Sequence, residues 1–256
     1  MAIMGGGGSN SKTNKPKAKQ QSISTRPNAS KNTTMSGNGK LPKNWPASLP
    51  YHAHPTTTPS FPRAVLEALH TPPQAASTTT TYTLPPSPNP NVLITPITTP
   101  GHPACGQAGL FARTALAPGA LILTYSGVLH TRADADAASD YDLSLDRELG
   151  VGVDAGRGGN EARFVNDYRG VPGATGPNAE FADVWVQVGG GRFERRMGVW
   201  VLGKGKSAKG PRARGIRKGE EILVSYGKGF WRERLGGEES EGIEESEGGE
   251  GNVTNG

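Results

Sequence analysis

Apolar residues are spread unevenly along this chain, and where they cluster they form short runs set off by turn residues. Residues 92–95 (Val-Leu-Ile-Thr) read as a strand, and so does the run 120–125 that follows Pro118-Gly119. Further strands are expected over 150–153, 179–188, 196–202 and 221–226, separated by Pro-Gly, Gly-Gly and Lys-Gly pairs. Residues 134–144 are compatible with a short helix. A second short helix is expected at 62–70, where Pro62 at the start and Pro72 just beyond the end suit one or two turns. Many short strands, few long amphipathic helices and 37 glycines predict a mostly β domain over residues 91–235.

The rest of the chain has a different character. Of 16 aromatic residues, 12 lie between Cys105 and Trp231, so the means to bury a core sit in about half of the 256 residues. Residues 1–44 are low complexity, 71–90 form a Thr/Pro-rich linker, and no Asp or Glu occurs before Glu67. Residues 236–256 hold seven Glu and no basic residue. Low hydrophobicity with charge of one sign cannot offset the entropy of ordering a chain. Three regions are therefore expected: a disordered basic and Thr/Pro-rich stretch (1–90), the β domain (91–235) and a disordered acidic tail (236–256).

The net charge of +5 is thus a difference between a basic head, a basic core and an acidic tail. Two readings stay open: solvated tails, or a basic head that contacts nucleic acid or another acidic surface. The exposed basic run 203–210 is read as a solvated loop. A single cysteine, Cys105, excludes an internal disulfide framework and a thiolate-rich zinc cluster, and no metal site is expected. No stretch reaches transmembrane length, and Met1-Ala2-Ile3-Met4 runs straight into Gly5-Gly6-Gly7-Gly8 without a signal-peptide core. The expectation is a soluble intracellular protein with no membrane association.

Candidate chemistry lies in an ordered set of motifs: Gly109-Leu110-Phe111-Ala112, Tyr125-Ser126-Gly127, Arg163-Phe164-Val165-Asn166-Asp167, Pro177-Asn178-Ala179-Glu180-Phe181, and the run from Gly219 to Gly227 containing Glu221-Ile222-Leu223-Val224-Ser225-Tyr226. Singly, each is a strand or turn that could occur in an unrelated β protein. In this order and spacing, over residues 91–231, they resemble the SET domain, the β-rich fold of most protein lysine methyltransferases. The resemblance implies short sheets with a threaded C-terminal segment and S-adenosylmethionine as cofactor. It implies cofactor contacts at Gly109, Leu110, Phe111, Asn166 and Asp167. At Gly109 the missing side chain would let the backbone approach a ligand, and the Asn166 amide offers both donors and an acceptor.

By the same resemblance, Tyr226 is the catalytic tyrosine beside the methyl-transfer path and contacts the cofactor. Tyr141 is a second candidate, walling the lysine channel, while Tyr125 and Asn178 are structural. Phe230 and Trp231 would supply an apolar cover over the cofactor in place of the Cys-rich tail that many relatives carry. Two departures stand out: Asp167 replaces the usual His, and the link from Asn166 to Pro177-Asn178 is longer and lacks the usual Cys. The implied activity is S-adenosylmethionine-dependent protein-lysine N-methylation of a protein substrate, a histone being one candidate, with the nucleus favoured over the cytoplasm. The departures keep a second reading open, a SET-like binding or scaffolding module without turnover. A third makes the basic head the functional part.

Overall fold

The computed structural model describes residues 40–72, 81–203 and 214–227, and strands make up most of their regular structure. In chain order these are β1 (Thr56–Thr57), β2 (Tyr82–Thr83), β3 (Val92–Pro96), β4 (Ala108–Ala112), β5 (Leu121–Thr124) and β6 (Val128–Thr131). They continue with β7 (Asp142–Asp146), β8 (Val151–Asp154), β9 (Asn166–Asp167), β10 (Ala179–Val188), β11 (Arg192–Val201) and β12 (Leu223–Val224). One α-helix, α1 (Arg63–His70), lies between β1 and β2.

Local sequence dictates the β10–β11 hairpin most directly. Ten residues on each side pair antiparallel, from Ala179 opposite Val201 to Val188 opposite Arg192. The turn is three glycines, and Gly190 and Gly191 adopt the left-handed φ values of 77° and 73° that cost glycine little. The hairpin is the centre of the sheet β2-β10-β11-β5, and a second sheet runs β1-β6-β8-β7. Two smaller pairs complete the body, antiparallel β3–β4 and parallel β9–β12. Ile94, Leu110, Val153, Val199, Val201, Ile216, Ile222 and Val224 fill the common core, each almost wholly buried. Fully burying one such side chain contributes roughly 1.5–3 kcal/mol.

The C-terminal segment is wedged between two partners. On one side Ile222 N–H donates to Leu110 O and Ala112 N–H to Glu220 O. On the other, β12 pairs with β9, and Asn178 holds Leu223 twice, its backbone N–H donating to Leu223 O and its side-chain Oδ1 accepting from Leu223 N–H. The segment thus lies between β4 and β9 and is hydrogen-bonded to both.

Three expectations need correction. The packed body does not begin at residue 91: Trp45, Phe61 and Leu69 are core residues, β1 pairs with β6, and β2 pairs with β10. Trp45 stacks edge-on against Tyr51 (5.0 Å between ring centroids) and Phe164 (5.7 Å). The apolar residues of 40–72 are too irregularly spaced to announce an element, because each anchors singly in the body. Second, no helix spans 134–144. A single 3₁₀ turn at Arg132–Asp134 is followed by β7, whose Leu143 and Leu145 alternate with polar residues as a strand requires. Third, of the strand expected over 221–226 only Leu223–Val224 is regular strand, with Glu221 joined to Phe111 by an isolated antiparallel bridge. The basic head (residues 1–39), most of the basic run 203–210, the acidic tail, Phe230 and Trp231 lie outside the described residues.

Candidate functional site

Gly109, in β4, has no room for a side chain. A Cβ there would overlap Glu221 Oε1 and come within 3.0 Å of Ile97 Cδ1 and 3.1 Å of Asn166 Nδ2. The space is taken by the Glu221 carboxylate, whose Oε1 accepts a hydrogen bond from the Asn166 amide at 2.8 Å. Its Oε2 lies 3.0 Å from His102 Nε2. The backbone N–H of Ala104 donates to His102 Nδ1 at 3.0 Å, which makes Nδ1 an acceptor and leaves the ring proton on Nε2, facing Glu221. Asn178 fixes the same strand from the other side, donating to Glu221 O (2.7 Å) and accepting from Leu223 N–H (2.8 Å).

The segment Val165–Asp167 joins this cluster to a second, aromatic one. Tyr226 donates its hydroxyl to Val165 O at 2.6 Å, and its backbone N–H donates to Asp167 Oδ2 at 2.7 Å. Asp167 also accepts from the Arg169 backbone (2.8 Å) and guanidinium (2.7 Å). In the position where the resemblance expects an imidazole, this carboxylate ties the Tyr226 segment to β9. Burial holds the Tyr226 hydroxyl above its ordinary pKa, and the negative charge of Asp167 adds to this, so the phenol stays protonated near neutral pH. Tyr125 is buried, donates its hydroxyl to Tyr141 O (2.8 Å) and packs edge-on against Phe181. Its pKa is likewise raised, first by burial and then by Tyr226. The Arg163 guanidinium lies 4.1 Å from the centre of the Tyr141 ring, with Nε donating to Ala155 O.

A cleft of about 870 Å³ opens beside the Glu221 cluster, within the usual size of a small-ligand site. Its walls include Ile97, Phe111, Val171 and Leu223 as apolar surface, with His102, Asn178, Glu221, Arg214 and Arg217 as polar groups. Of the residues singled out from sequence, Phe111 lines this cleft. Gly109 and Asn166 adjoin it through Glu221. The Leu110 side chain is wholly in the core, which leaves only its backbone for the expected contact. Tyr226 and Tyr141 belong to the aromatic cluster, and Trp231 is outside the described residues. Sequence reading missed Glu221 and His102 as site residues. Glu221 was inside a recognised motif, but nothing in the sequence separates it from Glu220, which instead turns outward to pair with Arg217 at 2.6 Å.

An apolar wall combined with an anionic and several hydrogen-bonding groups suits an amphipathic cation carrying an adenosine, so these residues fit S-adenosylmethionine. Among the described residues no group of three His, Cys, Asp or Glu side chains is placed to hold a metal ion.

No family model matches the chain, and no curated protein matches it. Among solved structures it is similar to a chain of a humanized mutant of the Chaetomium thermophilum Polycomb Repressive Complex 2 bound to the inhibitor GSK343. That match has 24% identity and a TM-score of 0.38, and covers 53% of this chain and 15% of that one. It is also similar to a chain of ctPRC2 in an autoinhibited conformation bound to S-adenosylmethionine, with 22% identity and a TM-score of 0.39, over 56% of this chain and 16% of that one. The protein thus corresponds to about 15% of the length of the first of these chains. At these values the likeness carries nothing about activity, substrate or partner. No helix among the described residues is long and apolar enough to cross a membrane.

Proposed function

We propose that the protein is a SET-like, S-adenosylmethionine-dependent protein-lysine N-methyltransferase. What supports this reading is that Gly109 and Asn166 converge on Glu221, which lines a ligand-sized cleft, while Tyr226 is hydrogen-bonded to Val165, next to Asn166. Phe111, Asn166, Asn178 and Glu221 would hold the cofactor. When bound, S-adenosylmethionine supplies a methyl group on a positively charged sulfur.

The chain's own residues do the rest. With its proton directed at Val165 O, the Tyr226 hydroxyl meets an incoming lysine amine as an acceptor, which orients the amine's lone pair. Held protonated, it is a positioning group and not a general base. Tyr125 and Tyr141 adjoin Tyr226, and an aromatic channel wall there would favour the nucleophilic neutral form of the lysine. Most of the acceleration then comes from alignment of two substrates. The substrate is a lysine-bearing protein, with a histone one candidate, and a nuclear location fits that candidate.

Transfer of a labelled methyl group into proteins of a cell extract tests this, with Tyr226→Phe as control and mass spectrometry to find the acceptor lysine. Label that appears on no protein would refute the activity. A second reading, a binding module without turnover, is favoured by Asp167, whose carboxylate is engaged with Arg169 and the Tyr226 backbone where an imidazole is expected. S-adenosylmethionine binding without any transfer would decide for it.

A further inference from the structure

Glu221 carries a charge that the fold alone does not explain. Its side chain is 9% exposed, and its two oxygens are met by the Asn166 amide and by His102 Nε2. Protonated His102 would have to turn a second N–H toward the Ala104 N–H, so the ring cannot act as a counter-ion without losing that bond. Among the described residues Arg217 pairs with Glu220, and neither it nor Arg214 forms an ion pair with Glu221. A carboxylate removed from water and met only by dipoles bears a large desolvation penalty. Glu221 cannot rotate away to water either. Gly109 backs one oxygen, Asn166 holds it, and His102 holds the other. What remains of its surface belongs to the wall of the cleft.

We propose that Glu221 is the counter-charge for a positively charged group on the ligand that fills the cleft. His102 and Asn166 are the positioning residues that aim it. The assignment rests on the methyl-donor reading above, and S-adenosylmethionine offers two such groups, the sulfonium and the α-ammonium. A cation placed against Glu221 offsets in the complex the cost of taking the carboxylate out of water.

The test is equilibrium binding of three probes to the full chain and to Glu221→Gln. S-adenosylmethionine carries both cations, S-adenosylhomocysteine only the ammonium, and 5′-methylthioadenosine neither, while all three share the adenosine. Glu221→Gln is expected to weaken S-adenosylmethionine about tenfold or more and to leave 5′-methylthioadenosine within about twofold. S-adenosylhomocysteine weakened in parallel identifies the ammonium, and S-adenosylhomocysteine unaffected identifies the sulfonium. Equal weakening of all three probes, or none for S-adenosylmethionine, overturns the proposal while the methyl-donor reading stands. A wild-type chain that binds none of the three overturns both. Should Glu221→Gln fail to fold, Glu221→Asp keeps the charge and must keep a preference for S-adenosylmethionine over 5′-methylthioadenosine. A folded Asp variant without that preference also overturns the proposal.

Discussion

Gly109→Ala isolates the contact on which the site is built. Gly109 does not occupy the left-handed region, so alanine meets no backbone penalty there and the whole cost is the space its methyl group needs. That methyl group would overlap Glu221 Oε1 and press on Ile97 and Asn166. Glu221 must yield, because the other two neighbours belong to the packed interior and to β9. Moving Oε1 breaks the 2.8 Å bond from Asn166, and a hydrogen bond to a charged group contributes roughly 1.5–3 kcal/mol. The His102 bond at 3.0 Å survives only if the carboxylate pivots about Oε2. The expected loss of stability is therefore about 2–4 kcal/mol, read as a lower urea midpoint with an unchanged m value. A double-mutant cycle makes the cause explicit: in a Glu221→Ala background the overlap is gone, and Gly109→Ala should cost less by about 1.5 kcal/mol or more. An alanine variant within about 0.5 kcal/mol of wild type would refute the contact. Equal costs in the two backgrounds would refute the mechanism.

Other outcomes follow from the same geometry. Trp45→Ala removes a buried ring that packs on Tyr51 and Phe164, and should cost about 3–5 kcal/mol by urea denaturation, whereas a residue outside the folded body would cost almost nothing. Tyr226→Phe leaves Val165 O without its hydroxyl partner, a stability loss of about 1–2 kcal/mol. Methyl transfer at a temperature where the variant stays folded should fall by about tenfold or more, and unchanged turnover would remove Tyr226 from the mechanism. His130 gives a pH prediction. Burial pushes its pKa down, but the Thr131 carbonyl (3.0 Å) and Asp142 carboxylate (2.7 Å) face both ring nitrogens and hold it above the ordinary 6.5. A raised folded-state pKa contributes stability that is fully present below 6.5 and is lost as pH climbs through the raised value. Urea midpoints measured across that range should fall with rising pH in wild type and fall less in His130→Gln, and parallel curves would refute the pairing.

The strands that sequence revealed are those whose reasons are local. In the β10–β11 hairpin 179–188 was legible to the residue and ends at a glycine turn, whereas the second arm, read as 196–202, begins at Arg192. The helix at 62–70 was legible from its flanking prolines. The motifs around Gly109, Asn166 and Tyr226 were recognisable because each needs a particular residue type within a few positions. That Trp45, Phe61 and Leu69 belong to the core was not legible, since they follow no period and the partners of Trp45 include Phe164, far along the chain. The helix expected over 134–144 failed for a related reason: β7 exists because β8 is there to pair with it.

By itself, then, the chain order determined a mostly β body and the residue types from which a methyl-transfer site could be built. Only the tertiary structure decided which of two adjacent glutamates points inward, that His102 stands behind it, and that a carboxylate at Asp167 takes up backbone hydrogen bonds. Periodicity and turn chemistry act over a few residues and leave their mark in sequence. A buried charge is defined by neighbours 55 and 119 positions away, and no local pattern records them.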